Sequence, residues 1–352
     1  MVVQPPVAPM LGRLVRELPV GGFSYEPKWD GFRCLAFRTA NGMDLRSRNN
    51  RLLARYFPEL VEALLELTVA EFVLDGEIVV PAPGGFDFSA LLARLHPAVS
   101  RVERLRRDTP ARYIAFDVLA VAGEDLRERP FTQRRTVLVD LMRGGRPPLH
   151  LTVATEDAAR ARDWLERYQG RGVDGVVAKP HDMRYQPGVR AMLKVKREQT
   201  ADCVVAGCRL FADRPAISSL LLGLYDDDGE LRHVGVASGF SEALRRALPE
   251  VLGPHVVDLP GHPWERGFLL GGSPIGRLAG AAGRWNPQEM ALDWIPLAPR
   301  LVAEVAYDHV DRDRFRHAAR FRRWRPDREP RSCRLEQLDV PGHDPGEVLA
   351  AR

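Results

Sequence analysis

Glu26-Pro27-Lys28-Trp29-Asp30-Gly31-Phe32-Arg33 is the stretch on which the reading of this chain turns. Taken alone, Lys-x-Asp-Gly is a turn that opens a strand, and four-residue patterns recur by chance. It becomes chemistry only if Lys28 is a nucleophile. A free lysine has a pKa of ~10.4, so roughly one molecule in a few thousand is neutral at pH 7. Neighbouring cations and loss of water lower that pKa, and a pKa lower by one makes the neutral fraction about tenfold larger. The run Met192-Leu193-Lys194-Val195-Lys196 supplies two candidate cations. In a strand they share one face, because side chains alternate, and they are expected to depress the Lys28 pKa.

Two acids interrupt apolar strand-like runs. Glu77 lies in Leu74-Asp75-Gly76-Glu77-Ile78-Val79-Val80, and Asp174 in Asp174-Gly175-Val176-Val177-Ala178-Lys179. Unpaired burial of a carboxylate is costly, so acids in such places usually have a task. Phosphoryl transfer offers one: it needs a divalent ion and cations to absorb negative charge. In Tyr113-Ile114-Ala115-Phe116-Asp117-Val118-Leu119, the ring of Phe116 is a candidate for stacking on a base, although such a ring alone reads as core.

Outward from these motifs, the first ~200 residues mix strands and helices. Residues 71–80, 113–121, 172–179 and 192–197 read as strands. A helix is expected from Pro58 to Leu67, with the proline in its first turn. Another is expected from Glu156 to Gln169, capped by Thr155 and stopped by Gly170. After about Thr200 the texture changes. Residues 203–210, 219–225, 231–237 and 301–310 read as short strands, Asp228-Gly229 as a hairpin turn, and Ser241 as the cap of one helix. Such a pattern suits a small Greek-key barrel of the OB type. The boundaries expected are 1–200 and 201–352, with a long loop over 261–283 and a mobile tail after Pro341.

Bulk composition sets the frame. The 352 residues suffice for two domains. No segment carries the ~18 apolar residues of a membrane span, and the N-terminus lacks a signal-peptide pattern. The expectation is therefore a cytoplasmic protein with no membrane contact. Cys34, Cys203, Cys208 and Cys333 form no zinc spacing and read as buried apolar thiols. Net charge is only +4. However, Arg312 to Arg334 holds ten arginines and three acids, a local +7 that suits a polyanion.

Taken in order and spacing, these segments resemble the covalent nucleotidyltransferases: DNA ligases, RNA ligases and capping enzymes. The look is nearest to small bacterial ATP-dependent DNA ligases of the ligase C type and to the ligase module of bacterial ligase D, in Tyr25–Arg33, Pro299–Asp308 and Arg314–Asp327. The resemblance covers nearly the whole chain. It implies an α+β fold, an ATP-grasp-like adenylation domain of antiparallel sheets and helices, followed by an OB-fold barrel.

It also implies roles. Lys28 would carry AMP, with Asp30 in the same motif. Glu26 would sit near the adenine amino group, and Arg33 and Arg48 would contact the nucleotide or the nick 5′-phosphate. Glu77 would hold the ribose and, with Asp174, a Mg²⁺ or Mn²⁺ ion. Phe116 would stack on adenine, Lys194 and Lys196 would contact the AMP phosphate, and Arg325 and Asp327 would close over ATP. Two departures stand out: Asn50 where glycine is common, and Asp174 where glutamate is usual.

The activity implied is sealing of 3′-OH/5′-phosphate nicks in duplex DNA, in DNA repair, by a monomer, with a protein partner possible that no segment names. ATP is expected over NAD⁺, because nothing before Lys28 is long enough for a nicotinamide-binding cap. The alternatives are an RNA ligase, a capping guanylyltransferase, or a nucleic-acid-binding module with a dead site.

Overall fold

The computed structural model describes residues 2–168, 170, 172–265, 294–311, 313–338 and 343–350. It divides into two compact units, Met1–Arg197 with Pro341–Arg352, and Glu198–Val340.

Two sheets build the first unit. Strands β1 (Gly12–Val15), β2 (Phe23–Trp29), β8 (Val173–Pro180) and β9 (Met192–Val195) form one, in the order β1-β9-β8-β2. The second holds β3 (Phe32–Thr39), β4 (Gly42–Ser47), β5 (Phe72–Val79), β6 (Arg112–Val121) and β7 (Leu149–Leu151) in the order β7-β6-β5-β3-β4, with the short Glu124–Asp125 strand beside β6. Most pairs are antiparallel, while β1 with β9 and β7 with β6 run parallel. Strands β5 and β6 are almost wholly buried, which accounts for their continuous apolar runs.

The expected helices are present with altered ends. Pro58–Leu65 begins on its proline and buries Leu60 and Leu64. The other spans Ala158–Arg167, and its cap is Asp157, whose carboxylate accepts from the Ala159 N–H. Thr155 cannot cap because its backbone exchanges two hydrogen bonds with Tyr25, which holds it extended. The last residues depart from both expectations made for them. They form a helix, Gly346–Ala350, and Leu349 is buried with Trp164 and Tyr168 in the first unit's core.

The second unit is a closed barrel of β10 (Gln199–Leu210), β11 (Ile217–Tyr225), β12 (Leu231–Ser238), β13 (Ile295–Tyr307) and β14 (Ala319–Trp324), ordered β10-β11-β12-β14-β13. A helix, Glu242–Leu252, follows the third strand, capped by Ser241. This five-stranded Greek-key closure is an OB-fold. Gly229, with φ +76°, makes the turn between β11 and β12. Strand β13 starts earlier than the sequence indicates, and most of the expected 261–283 loop lies outside the described residues. All four cysteines are buried free thiols.

Candidate active site

Lys28 sits near the end of β2, opposite an irregularity in β8. The β2–β8 register pairs Trp29 with Val173 and Pro27 with Val176, leaving Asp174 and Gly175 opposite the single Lys28, one residue more on β8. Bulges re-aim side chains, and this one brings Asp174 Oδ2 to 2.6 Å from Lys28 Nζ. Gly175 makes the arrangement possible. Its φ is +133°, and a Cβ there would overlap the Val195 carbonyl oxygen. Strand β9 therefore packs close enough for Lys196, just past its end, to put Nζ 2.5 Å from the same carboxylate oxygen.

Gly31 does the same for the other sheet. A Cβ on Gly31 would overlap the Ile78 carbonyl oxygen. With only hydrogen there, the Gly31 N–H donates to Glu77 Oε1 at 3.1 Å. Arg33 and Glu77 are cross-strand partners on β3 and β5. The Asp-Gly step is thus the joint that sets Lys28, Glu77 and Arg33 around one space.

That space is a cavity of about 480 Å³. Glu26, Lys28, Arg33, Arg48, Glu77, Phe116 and Lys194 line it. Asp174 reaches Lys28, Lys196 reaches the same carboxylate, and the charge of Asp30 also acts on Lys28. Arg325 and Asp327 belong to the second unit, where Arg325 bridges Asp202 at 3.0 Å and Asp327 at 2.8 Å. Arg48 stands beside Asn50, whose φ of +57° is the left-handed value that glycine would supply.

The electrostatics reverse one expectation. Burial pulls the Lys28 pKa down, but the ion pair and hydrogen bond with Asp174, helped by Glu77 and Asp30, hold it above the ordinary lysine value. Lys194 is the depressed lysine, through burial first and then Lys28 and Lys196. The cationic pair was expected to act on Lys28. Instead Asp174 neutralises Lys196 and grips Lys28 together. Burial also lifts Glu77 to about 7, against the pull of Arg33 and Lys28.

Sequence reasoning missed two residues. Asp75 takes both arms of Arg33, at 2.5 and 2.6 Å, and accepts from the Tyr185 hydroxyl at 2.6 Å. Arg33 is thereby fixed over the Phe116 ring, 4.4 Å from its centroid. Lys179, 1% exposed, bonds Glu26 Oε2 at 2.8 Å and the Phe116 carbonyl at 2.8 Å. Its signal was the alternation of Val177 and Lys179, which puts both on the cavity side of β8. Glu26 Oε1 remains, a buried oxygen with no hydrogen-bond donor among the described residues. The Arg135 guanidinium stands off from it at 3.9 Å.

Comparison with known proteins now decides the family. Residues 7–196 match the ATP dependent DNA ligase domain, and residues 213–328 match the ATP dependent DNA ligase C terminal region. The chain belongs to the ATP-dependent DNA ligases. This ligase is 50% identical to DNA ligase C2 of Mycolicibacterium smegmatis over 97% of its own length and 96% of that protein's. It is 47% identical to DNA ligase C of Mycobacterium tuberculosis, over 96% and 95%. A solved Lig E DNA ligase shares the fold at 17% identity, with TM-score 0.57 over 91% of this chain and 100% of that one. No described helix of the ligase is long and apolar enough to cross a membrane.

The basic segment is less bare than its sequence. Strand pairing sets Arg323 opposite Glu304, and the two form an ion pair at 2.7 Å. Arg320 and Arg322 both meet Glu198, Arg328 meets Asp202, and Arg334 meets Asp227 and Glu336. The local +7 counted along the chain is therefore offset by acids from outside it.

Proposed function

We propose that this ligase seals nicks in duplex DNA through AMP carried on Lys28, and that the cavity of the first unit is the ATP site. The observation that carries the reading is the orphaned Glu26 Oε1 in the same cavity as Lys28. A buried carboxylate oxygen without a donor costs free energy until a donor arrives. The exocyclic amino group of adenine is such a donor, whereas guanine presents an oxygen acceptor there and would be repelled. Phe116, whose ring centroid lies 4.4 Å from the Arg33 guanidinium and 5.1 Å from the Lys179 ammonium, offers a ring for the base. Glu77, in the same cavity, would accept from ribose hydroxyls.

In the first step Lys28 Nζ, once deprotonated, attacks the α-phosphorus of ATP. A P–N bond forms, the P–O bond to the β-phosphate breaks, and pyrophosphate leaves. AMP then passes to the 5′-phosphate of the nick, releasing Lys28. Finally the 3′-hydroxyl attacks that phosphate, AMP leaves and the strand is continuous. Lys194, already depressed and without an acid partner of its own among the described residues, is suited to the transferred phosphate. Arg48 offers a second cation in the same cavity.

Asp174 and Glu77 are hard oxygen donors beside Lys28, and no cluster of three or more metal-ligating side chains stands among the described residues. One or two carboxylates completed by substrate phosphates is the ordinary arrangement for Mg²⁺ or Mn²⁺, so the residues fit an ion that arrives with ATP. When bound, it would supply positive charge to the phosphate oxygens. The change this chain makes is at Asp174: any pull on that carboxylate loosens its hold on Lys28.

The test is the mass of the purified protein after incubation with ATP and, separately, GTP. A gain of one AMP with ATP, none with GTP, and reversal by pyrophosphate are expected. An adduct that persists in Lys28→Ala overturns the assignment. Nicked DNA against nicked RNA then distinguishes the RNA-ligase alternative.

A further inference from the structure

The Glu26 carboxylate faces two cations, and they treat it differently. Lys179 Nζ meets Oε2 at 2.8 Å, within hydrogen-bond range. Arg135 Nη1 stops 3.9 Å from Oε1, too far for a hydrogen bond. Both of the atoms left facing each other are buried, and neither has a hydrogen-bond partner among the described residues. An unmade bond between a buried donor and a buried acceptor is costly, and a movement of about 1 Å would make it. Lys179 already balances the charge of Glu26. The gap at Oε1 is therefore a feature that the fold maintains.

What maintains it is a tether. Arg135 lies on the helix Phe131–Met142, and its Nη2 donates to the Thr152 carbonyl at 2.6 Å. Thr152 is 1% exposed and is itself fixed. Its N–H donates to the Ala115 carbonyl on β6, and its hydroxyl accepts from Trp29 Nε1 on β2, both at 2.9 Å. Those are the strands that carry Phe116 and Glu26. The guanidinium is a rigid planar fork, so one arm fixed on Thr152 sets where the other arm ends. Arg135 is not among the residues that line the cavity of Lys28 and Glu26; it lines a separate one with Arg143, Arg160 and Leu349. It therefore acts on a nucleotide in the first cavity through Glu26.

We propose that Arg135 is a positioning residue that sets base selection: tied to Thr152, it holds the Glu26 carboxylate with Oε1 unbonded, ready for the 6-amino group of adenine. This rests on the reading of the first unit's cavity as the ATP site. An acceptor with no hydrogen bond to break gains the whole of the new one, and an acceptor held in place beforehand has less freedom to lose.

The test uses the full chain and initial rates of nucleotidyl transfer to Lys28 from two donors. One is ATP, and the other is purine riboside triphosphate, which carries hydrogen in place of the 6-amino group. The wild-type KM for the analogue should exceed that for ATP about 10-fold or more, the worth of one hydrogen bond to a charged group. Arg135→Met leaves Glu26 free to turn on Lys179. Arg135→Lys offers a single point donor, which reaches the Thr152 carbonyl or Oε1 but does not stand between them. In both variants the KM for ATP should rise toward that for the analogue, bringing the ratio to about threefold or less. The analogue's own KM should barely move. The maximal rate with ATP should change less than about threefold, because the lost interaction serves ground state and transition state alike.

An unchanged ratio in either variant overturns the proposal. So do equal rises in both KM values with a lower melting temperature, which would make Arg135 structural. If Arg135→Met does not fold, Arg135→Lys decides alone. A wild type that takes both donors with one KM overturns the reading of Glu26 as the adenine acceptor, and this proposal with it. A chain that takes neither overturns the ATP site itself.

Discussion

Lys28 Nζ and Asp174 Oδ2 lie 2.6 Å apart, and this contact holds the proposed nucleophile as an ammonium ion. Asp174 therefore restrains Lys28, beside the metal role proposed for it. The two roles have opposite signs in Asp174→Asn. Removing the charge lowers the Lys28 pKa, so the pH profile of lysyl-AMP formation should move to lower pH. Losing the carboxylate should cut the maximum rate by about 10²-fold or more. Initial rates of AMP transfer from labelled ATP across the neutral and alkaline range measure both. A lower plateau with an unmoved profile would mean that Asp174 does not set the Lys28 pKa.

Glu77 titrates at about 7 through burial. Its folded pKa lies above its ordinary 4.5, so the folded chain binds that proton more tightly than the unfolded chain does. The stability it contributes is complete below the unfolded value and declines as pH rises through the folded one. Glu77→Gln, uncharged throughout, should flatten that decline. Melting curves of wild type and variant between the two values check it. The same variant should bind ATP more weakly, most visibly above neutrality, where wild-type Glu77 is ionised.

What was legible in the sequence follows from local constraints. Lys28, Asp30 and Gly31 stood out as a Lys-x-Asp-Gly run with strand-borne acids and lysines to support it, whereas the steric need for Gly31, the approach of the Ile78 carbonyl, was not legible. Glu77, Asp174 and Phe116 stood out because they interrupt or extend apolar strand runs. The barrel was legible from short strands around one Ser-capped helix. The pairings were not. Asp75 read as one more residue of a strand, since its partner Arg33 is 42 positions away. The Lys28–Asp174 pair depends on one extra residue in the β8 register that no periodicity announces. Charge counting failed for Arg320–Arg334 for a related reason: the compensating acids come from neighbouring strands and loops.

Lys179 and Glu26 form a buried ion pair at 2.8 Å on adjacent strands. Breaking such a pair by removing one member leaves an uncompensated charge and costs about 3–5 kcal/mol. Lys179→Met should therefore lower the melting temperature by several degrees. It should also free Glu26 to turn and remove the cation 5.1 Å from the Phe116 ring, so that preference for ATP over GTP weakens. Restoring the cation as Lys179→Arg should recover stability more than nucleotide preference, because the planar fork cannot reproduce the single contact to the Phe116 carbonyl. The readouts are thermal unfolding and competition between the two nucleotides for AMP or GMP transfer. Loss of stability with preference intact would reduce Lys179 to a structural role.

Arg325 stands between Asp202 and Asp327, held by both. Asp327, drawn down to about 2 chiefly by its hydrogen bonds with Arg325, stays ionised at any working pH. The guanidinium is thus oriented in advance but can exchange one carboxylate for a phosphate without leaving the other. A group of this kind matters most where a polyphosphate leaves, in the first step, and least once AMP is already on the DNA. Arg325→Ala should slow lysyl-AMP formation about 10²–10³-fold. Closure of a nick supplied with a pre-adenylated 5′ end should change far less. Asp202→Asn and Asp327→Asn should each slow the first step by a smaller factor, since one anchor remains. Equal losses in both half-reactions for Arg325→Ala would place this arginine on the DNA instead of on ATP.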